Sequence, residues 1–188
     1  MFFFFKCLSL ETEKIFNFTI GELMKRQGFT LIELLTVIVI MGILSAVAVP
    51  KMFGMIAKSK AAEIGPAART YEKLQDSYIG ETHQLGSWTI IGYIGPGSIV
   101  ATDSTKSTNF CYGGGTLKGG GASVTFRGNS GTATVGWIAS SLTALNDVAA
   151  GSSWTIAVGT DNSGIIRYTA TMPPNAEPLT PNFKQLSR

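Results

Sequence analysis

Side chains with the chemistry for catalysis or metal binding are sparse in this chain. His83 is the one histidine among 188 residues, and Cys7 and Cys111 are the two cysteines. They are too far apart to form a cluster with metal-ligand spacing. No Gly-x-Ser-x-Gly or comparable nucleophile motif occurs. The run GGGTLKGGG, Gly113–Gly121, lacks the Gly-Lys-Ser/Thr ending of a phosphate loop and follows no apolar strand directly, so it reads as a flexible turn. Asp103, Asp147 and Asp161 lack the dense oxygen pattern that calcium needs. His83, beside Thr82 in a loop flanked by glycines, reads as a solvated residue. No catalytic residue, metal or cofactor is therefore expected, and the chain is not read as an enzyme.

One carboxylate stands out by its surroundings. The stretch FTLIELLTVIVIMGILSAVAV, Phe29–Val49, holds Glu33 as its only ionisable side chain. Its roughly 21 residues would reach about 30 Å as a helix, the thickness of a bilayer core. A charge inside such a segment costs about 2.5–3.5 kcal/mol on insertion scales, so it usually has a partner and a role. No basic residue lies one helical turn away. Lys25 and Arg26 precede the run and Lys51, Lys58 and Lys60 follow it. Basic residues before an apolar run favour a cytoplasmic start, although those after it weaken the bias. The run is longer than a signal-peptide core, and a plain membrane anchor leaves Glu33 unexplained.

The residues KRQGFTLIELLTVIVIMGILSAVAVP, Lys25–Pro50, resemble the N-terminal signature of type IV pilins and their pseudopilin relatives. The resemblance implies a leader ending at Gly28 and a mature N-terminus at Phe29, cut and N-methylated by a prepilin peptidase. It implies that Glu33 pairs with the Phe29 amine of an adjacent subunit, an amine that exists only after the cut. Gly42 and Pro50 match positions bracketing a helical segment that loosens on assembly. Gly costs about 1 kcal/mol inside a helix and Pro about 3. The leader departs from the family in length, with a run of four phenylalanines and acids at Glu11, Glu13 and Glu22. Met24–Gly28 would be a short basic leader by itself, so translation is expected to begin at Met24.

The remaining elements give this segment its head. Ala57, Ala61, Ile64, Ala68, Tyr71, Leu74 and Tyr78 recur at steps of three and four, the mark of an amphipathic helix. Lys58, Glu63, Arg69, Glu72, Lys73 and Asp76 fall off that stripe. Gly65-Pro66 is expected to kink one long helix running from Phe29 to about residue 79. Residues 80–121 read as a glycine-punctuated loop. From Ala122 the period becomes two, and SVTFRG, TATVGWIA, SWTIAVGT and IIRYTATM read as strands. Asp161–Gly164 would turn the last two into a hairpin. The tail, with Pro173, Pro174, Pro178 and Pro181, reads as irregular. Trp137 and Trp154 are expected in the core, whereas Trp88 and Tyr93 could be core or could stack on sugars or nucleobases. With the leader gone Cys111 is alone, a buried hydrophobe rather than an intermolecular thiol.

Hydrophobic residues make up 45% of the chain and charged residues 14%, with a net charge of +3. That excludes a disordered chain and offers no basic footprint for nucleic acid. The expected fold is α+β: a long N-terminal helix packed on a small antiparallel sheet, the pilin fold. Expected boundaries are 1–28 for the leader, 29–53 for the membrane and filament-core helix and 54–188 for the head. The head divides into a helix over 54–79, the loop 80–121, a sheet over 122–172 and a tail over 173–188. The expected function is a structural subunit of a type IV pilus, serving adhesion, motility or DNA uptake. The alternatives are a pseudopilin of a type II secretion system or a minor pilin or adhesin. Expected partners are further copies in a helical homopolymer, the prepilin peptidase, the inner-membrane assembly machinery and, more remotely, a surface glycan or DNA. Before assembly the chain would sit in the inner membrane with a periplasmic head, and afterwards in an extracellular filament.

Overall fold

A computed structural model describes residues 28–117, 123–125, 133–160 and 165–188, with 123–125 described in backbone only. Residues 1–27, including Met24 and Cys7 and most of the expected leader, lie outside the described residues. So do residues 118–121 of the glycine run and the turn expected at Asp161–Gly164. The described residues fall into two units, 28–48 and Val49–Arg188.

Helix α1 spans Leu31–Ala61 and α2 spans Ile64–Thr82. The expected kink is instead a two-residue turn, Ala62-Glu63, placed just before Gly65-Pro66. Pro66 has no N–H to give and its ring crowds the carbonyl four residues back. The Ala67 N–H still donates to the Glu63 carbonyl at 3.4 Å, so the break is confined to one turn. α2 ends on His83, which takes a left-handed φ of 55° while its N–H donates to the Ile79 carbonyl. His83 is exposed, and its backbone closes the helix.

In the second unit the main sheet has six strands in the order β2-β3-β4-β6-β7-β8, all antiparallel. These are β2 (Ser98–Ala101), β3 (Ser104–Lys106), β4 (Phe110–Gly113), β6 (Thr134–Ser141), β7 (Ser153–Thr160) and β8 (Ile166–Thr171). β1 (Gln84–Gly86) and β5 (Ser123–Thr125) form a separate two-stranded ladder. The long strands β6, β7 and β8 fall where the alternating sequence pattern places them. The stretch 80–121 is not only loop: it holds β1–β4 and a short helix α3, Trp88–Ile91. These strands are three or four residues long, too short for a period of two to stand out between glycines.

The core forms where α2 lies over the sheet. Ala57, Ala61, Ile64, Ala68 and Tyr71 from the predicted stripe are buried, and Leu74 and Tyr78 are partly buried against them. Trp88, Trp137 and Trp154 are buried together with Tyr93, Phe110 and Tyr112. Each indole N–H finds an acceptor, as a buried donor must. Trp88 donates to the Gly136 carbonyl at 2.9 Å, Trp137 to the Tyr93 hydroxyl at 3.1 Å, and Trp154 to the Thr180 hydroxyl at 3.0 Å. The Tyr93 hydroxyl in turn donates to the Ala67 carbonyl of α2. Trp88 and Tyr93 stack edge to face at 4.7 Å, so both are core residues and neither presents a face for a sugar or base. Gly136 permits the close approach of helix to sheet, because a Cβ there would strike the Tyr71 hydroxyl.

The tail is irregular, as its prolines predict, yet it is built into the fold. Ala176, Leu179, Phe183 and Leu186 are buried. Arg188 exchanges backbone hydrogen bonds with Tyr168, and the Ser187 hydroxyl accepts from the Ala170 N–H, so residues 187–188 close the outer edge of β8. The Arg188 guanidinium pairs with Asp76 of α2 and lies over the Tyr168 ring. Beside them Glu72, placed by periodicity on the polar side of α2, is buried, and its Oε1 has no hydrogen-bond partner among the described residues. Burial pushes its carboxyl up to about 7. The Arg188 charge opposes that shift, Asp76 adds to it and Arg69 opposes it.

The unfolded carboxyl has an ordinary acidic pKa, so the folded chain holds this proton through a range in which the unfolded chain has lost it. Stability associated with Glu72 is thus full at low pH and falls as pH rises through about 7. Thermal unfolding between pH 5 and pH 8 should show the melting temperature dropping across neutrality. Glu72→Gln should flatten that drop by raising the value at the alkaline end. Parallel profiles for the two chains would mean Glu72 is ionised in the fold.

Candidate assembly site at the start of the apolar helix

Of the residues expected to act in processing and assembly, Gly28, Phe29 and Glu33 lie at the beginning of α1. Gly28, Phe29 and Thr30 precede the helix in non-helical backbone, and Phe29 is 84% exposed. Thr30 occupies the N-cap position. Its carbonyl accepts from the Leu34 N–H, and its hydroxyl accepts from the Glu33 N–H at 3.3 Å. Glu33 reaches back: its Oε2 accepts from both the Thr30 N–H and the Thr30 hydroxyl at 2.8 Å. This reciprocal arrangement is a capping box, in which two backbone N–H groups without helical partners are satisfied at once. A negative charge in the first turn also suits the positive end of the helix dipole.

Glu33 therefore has a local role that hydropathy alone did not disclose. The signal was legible all the same, because Thr-x-x-Glu directly ahead of an apolar run is the sequence mark of this cap. Among the described residues the Glu33 carboxylate meets no cation, and Phe29 carries a peptide nitrogen rather than an amine while Gly28 is attached.

From Leu31 to Ile56 every large apolar side chain is exposed. Among the described residues one helical stretch, near the N-terminus, is long and apolar enough to cross a membrane. Gly42 and Pro50 both lie inside α1, which runs through them without a break. A Cβ at Gly42 would meet nothing within 4 Å, so packing within the chain does not demand glycine there. The other singled-out residues stay apart. Asp103 is buried and accepts from the Thr89 N–H and hydroxyl at the start of α3. Asp147 is exposed beside Asn146. Cys111 is half-buried in β4 and is a free thiol.

Residues 23–49 match the family described as the prokaryotic N-terminal methylation motif. The Type IV major fimbrial protein FimA of Dichelobacter nodosus is 43% identical over 75 residues, which cover 37% of this chain and 45% of that protein. The chain thus spans less than half the length of the curated relative it matches. The fold and the site define an α+β, pilin-like protein with an N-terminal methylation motif and an apolar N-terminal helix. Taken together, the motif and the similarity to a major fimbrial protein support a type IV pilin.

Removing the cap should have a local and measurable effect. Thr30→Ala is expected to cost the helix start about 1 kcal/mol. Amide hydrogen exchange in detergent micelles should then be several-fold faster at Leu31–Leu34 and unchanged in β6 and β7. Equal protection in both chains would show that Glu33 holds the helix start without Thr30.

Proposed function

We propose that this chain is a structural subunit of a type IV pilus, cut after Gly28, N-methylated at Phe29 and polymerised through its apolar helix. The observation that carries the reading is the combination at the start of α1. A single carboxylate, without a cation among the described residues, is the fifth residue counted from a potential new N-terminus, on a helix whose apolar residues stay exposed among those residues. In the bilayer that helix is solvated by lipid. In a bundle of like helices, an amine freed at Phe29 of one copy would neutralise Glu33 of another. A buried charge is tolerated cheaply only with such a partner.

On this reading the 1–28 segment is the leader, the 29–53 segment spans the inner membrane before assembly, and the head from residue 54 onward faces the periplasm and later the filament surface. The prepilin peptidase and the inner-membrane assembly machinery are its processing partners. Gly42 and Pro50 would be the places where α1 loosens as subunits pack. The role is structural and not catalytic. The burial of Trp88 and Tyr93 removes the aromatic faces that would have favoured an adhesin reading.

Mass spectrometry of protein from sheared surface filaments tests the proposal. A mature chain beginning with N-methylated Phe29 is expected there. The same processed chain confined to the membrane fraction would transfer the assignment to a pseudopilin or minor pilin, and an intact leader in every fraction would overturn it. Glu33→Ala should insert and be cleaved normally but assemble poorly, since leaving one charge of a buried pair without its partner costs about 3–5 kcal/mol. Wild-type filament yield from that variant would refute the pairing.

A further inference from the structure

The second unit carries two surface features of opposite charge that the helix-bundle reading does not use. One is a groove of about 640 Å³ between α2 with the end of α1 and the tail segment Leu179–Phe183. Its floor includes the small residues Ala62, Gly65 and Pro66, which let another backbone come close. Its rim carries Lys58, Arg69 and Lys73, all exposed, and no carboxylate lines it among the described residues. Arg69 also feels the Glu72 carboxylate, but Glu72 is buried beneath the helix surface. Lys58, Ala62, Arg69 and Lys73 follow helical steps along α1 and α2, so the cations form one stripe and not a scatter.

The other feature is a shallow depression lined by Asp147, Asn175, Glu177 and Pro178, with both carboxylates exposed. Glu177 makes a surface ion pair with Lys184 at 3.0 Å, the kind worth little in water and readily exchanged. Asn146 and Asn175 hold left-handed backbone at φ 52° and 64°, which fixes the loops that present the two acids.

We propose that the cationic groove of one copy receives the Asp147/Glu177 surface of a second copy. The two surfaces are complementary in charge and adjoin along the tail, where Pro178 lines one and Leu179 the other. Such a contact is heterologous, and a heterologous contact that does not close on itself propagates an open helical polymer. Opposed charges set register and reject wrong partners more than they add raw affinity. The contact therefore selects which heads sit side by side while the apolar helices supply cohesion. This rests on the filament reading given above and adds to it the surface by which heads recognise each other.

Reciprocal charge reversal in full-length chains, expressed where filaments form, tests it. One chain carries Arg69→Glu and Lys73→Glu. The other carries Asp147→Lys and Glu177→Lys. Each alone is expected to give roughly tenfold fewer filaments or worse, like charges across a contact being strongly unfavourable. The two together should restore filaments containing both chains, because each altered surface then meets its altered complement. The milder Arg69→Gln/Lys73→Gln chain should fall between wild type and reversal, and every chain should reach the wild-type level in the membrane pool. Wild-type assembly by either reversed chain alone overturns the docking contact and leaves the filament reading intact. Defects at normal membrane level that mixing does not repair also overturn it, and would point to another anionic ligand for the groove. Absence of filaments from the wild-type chain would instead strike the filament reading itself.

Discussion

A helix with apolar residues on every side and one acid near its start cannot rest in water. That constraint governs this protein. Some seventeen large apolar side chains from Leu31 to Ile56 are exposed, and burying each would be worth about 1.5–3 kcal/mol. Among the described residues nothing folds back over them, a surface suited to lipid or to other helices. The capping box makes both tolerable at the helix start. With Thr30 and Glu33 satisfying each other's backbone donors, the first turn depends less on water and enters a low-dielectric setting with two fewer orphaned N–H groups.

The head answers a different requirement. It must be held by its own core, since Cys111 is a free thiol. Three indoles and a set of tyrosines provide that core, and each indole N–H is hydrogen-bonded within it. Tyr93 is the junction: it accepts from Trp137 of β6 and donates to Ala67 of α2, tying sheet to helix through one hydroxyl. Hydrogen bonds of this kind fix a particular packing, because leaving such a donor unpaired in the interior costs more than the bond itself contributes.

Much of this was legible in the residues. The apolar run and its acid mark the start of α1, and steps of three and four give the buried face of α2. The period of two gives β6, β7 and β8. What escaped were features whose cause is tertiary. Strands β2–β4 are too short to show a period and exist because each finds a neighbour in the sheet. Glu72 lies off the apolar stripe, yet the tail and β8 close over it, which no helical wheel could reveal. The cationic groove likewise needs the tail segment as its far wall. The Thr30 cap was the opposite case, a local signal overlooked because Glu33 invited a longer-range explanation.

The two borders of the six-stranded sheet are unequal. Residues 187–188 occupy the outer side of β8, while β2 is open and shows Ile99 and Val100 to solvent. Strand-by-strand growth of an amyloid-like kind needs two available borders on every copy. A sheet sealed on one side can at most pair once with its twin and then stops. Growth through the strands of this sheet is thus limited to a single pairing.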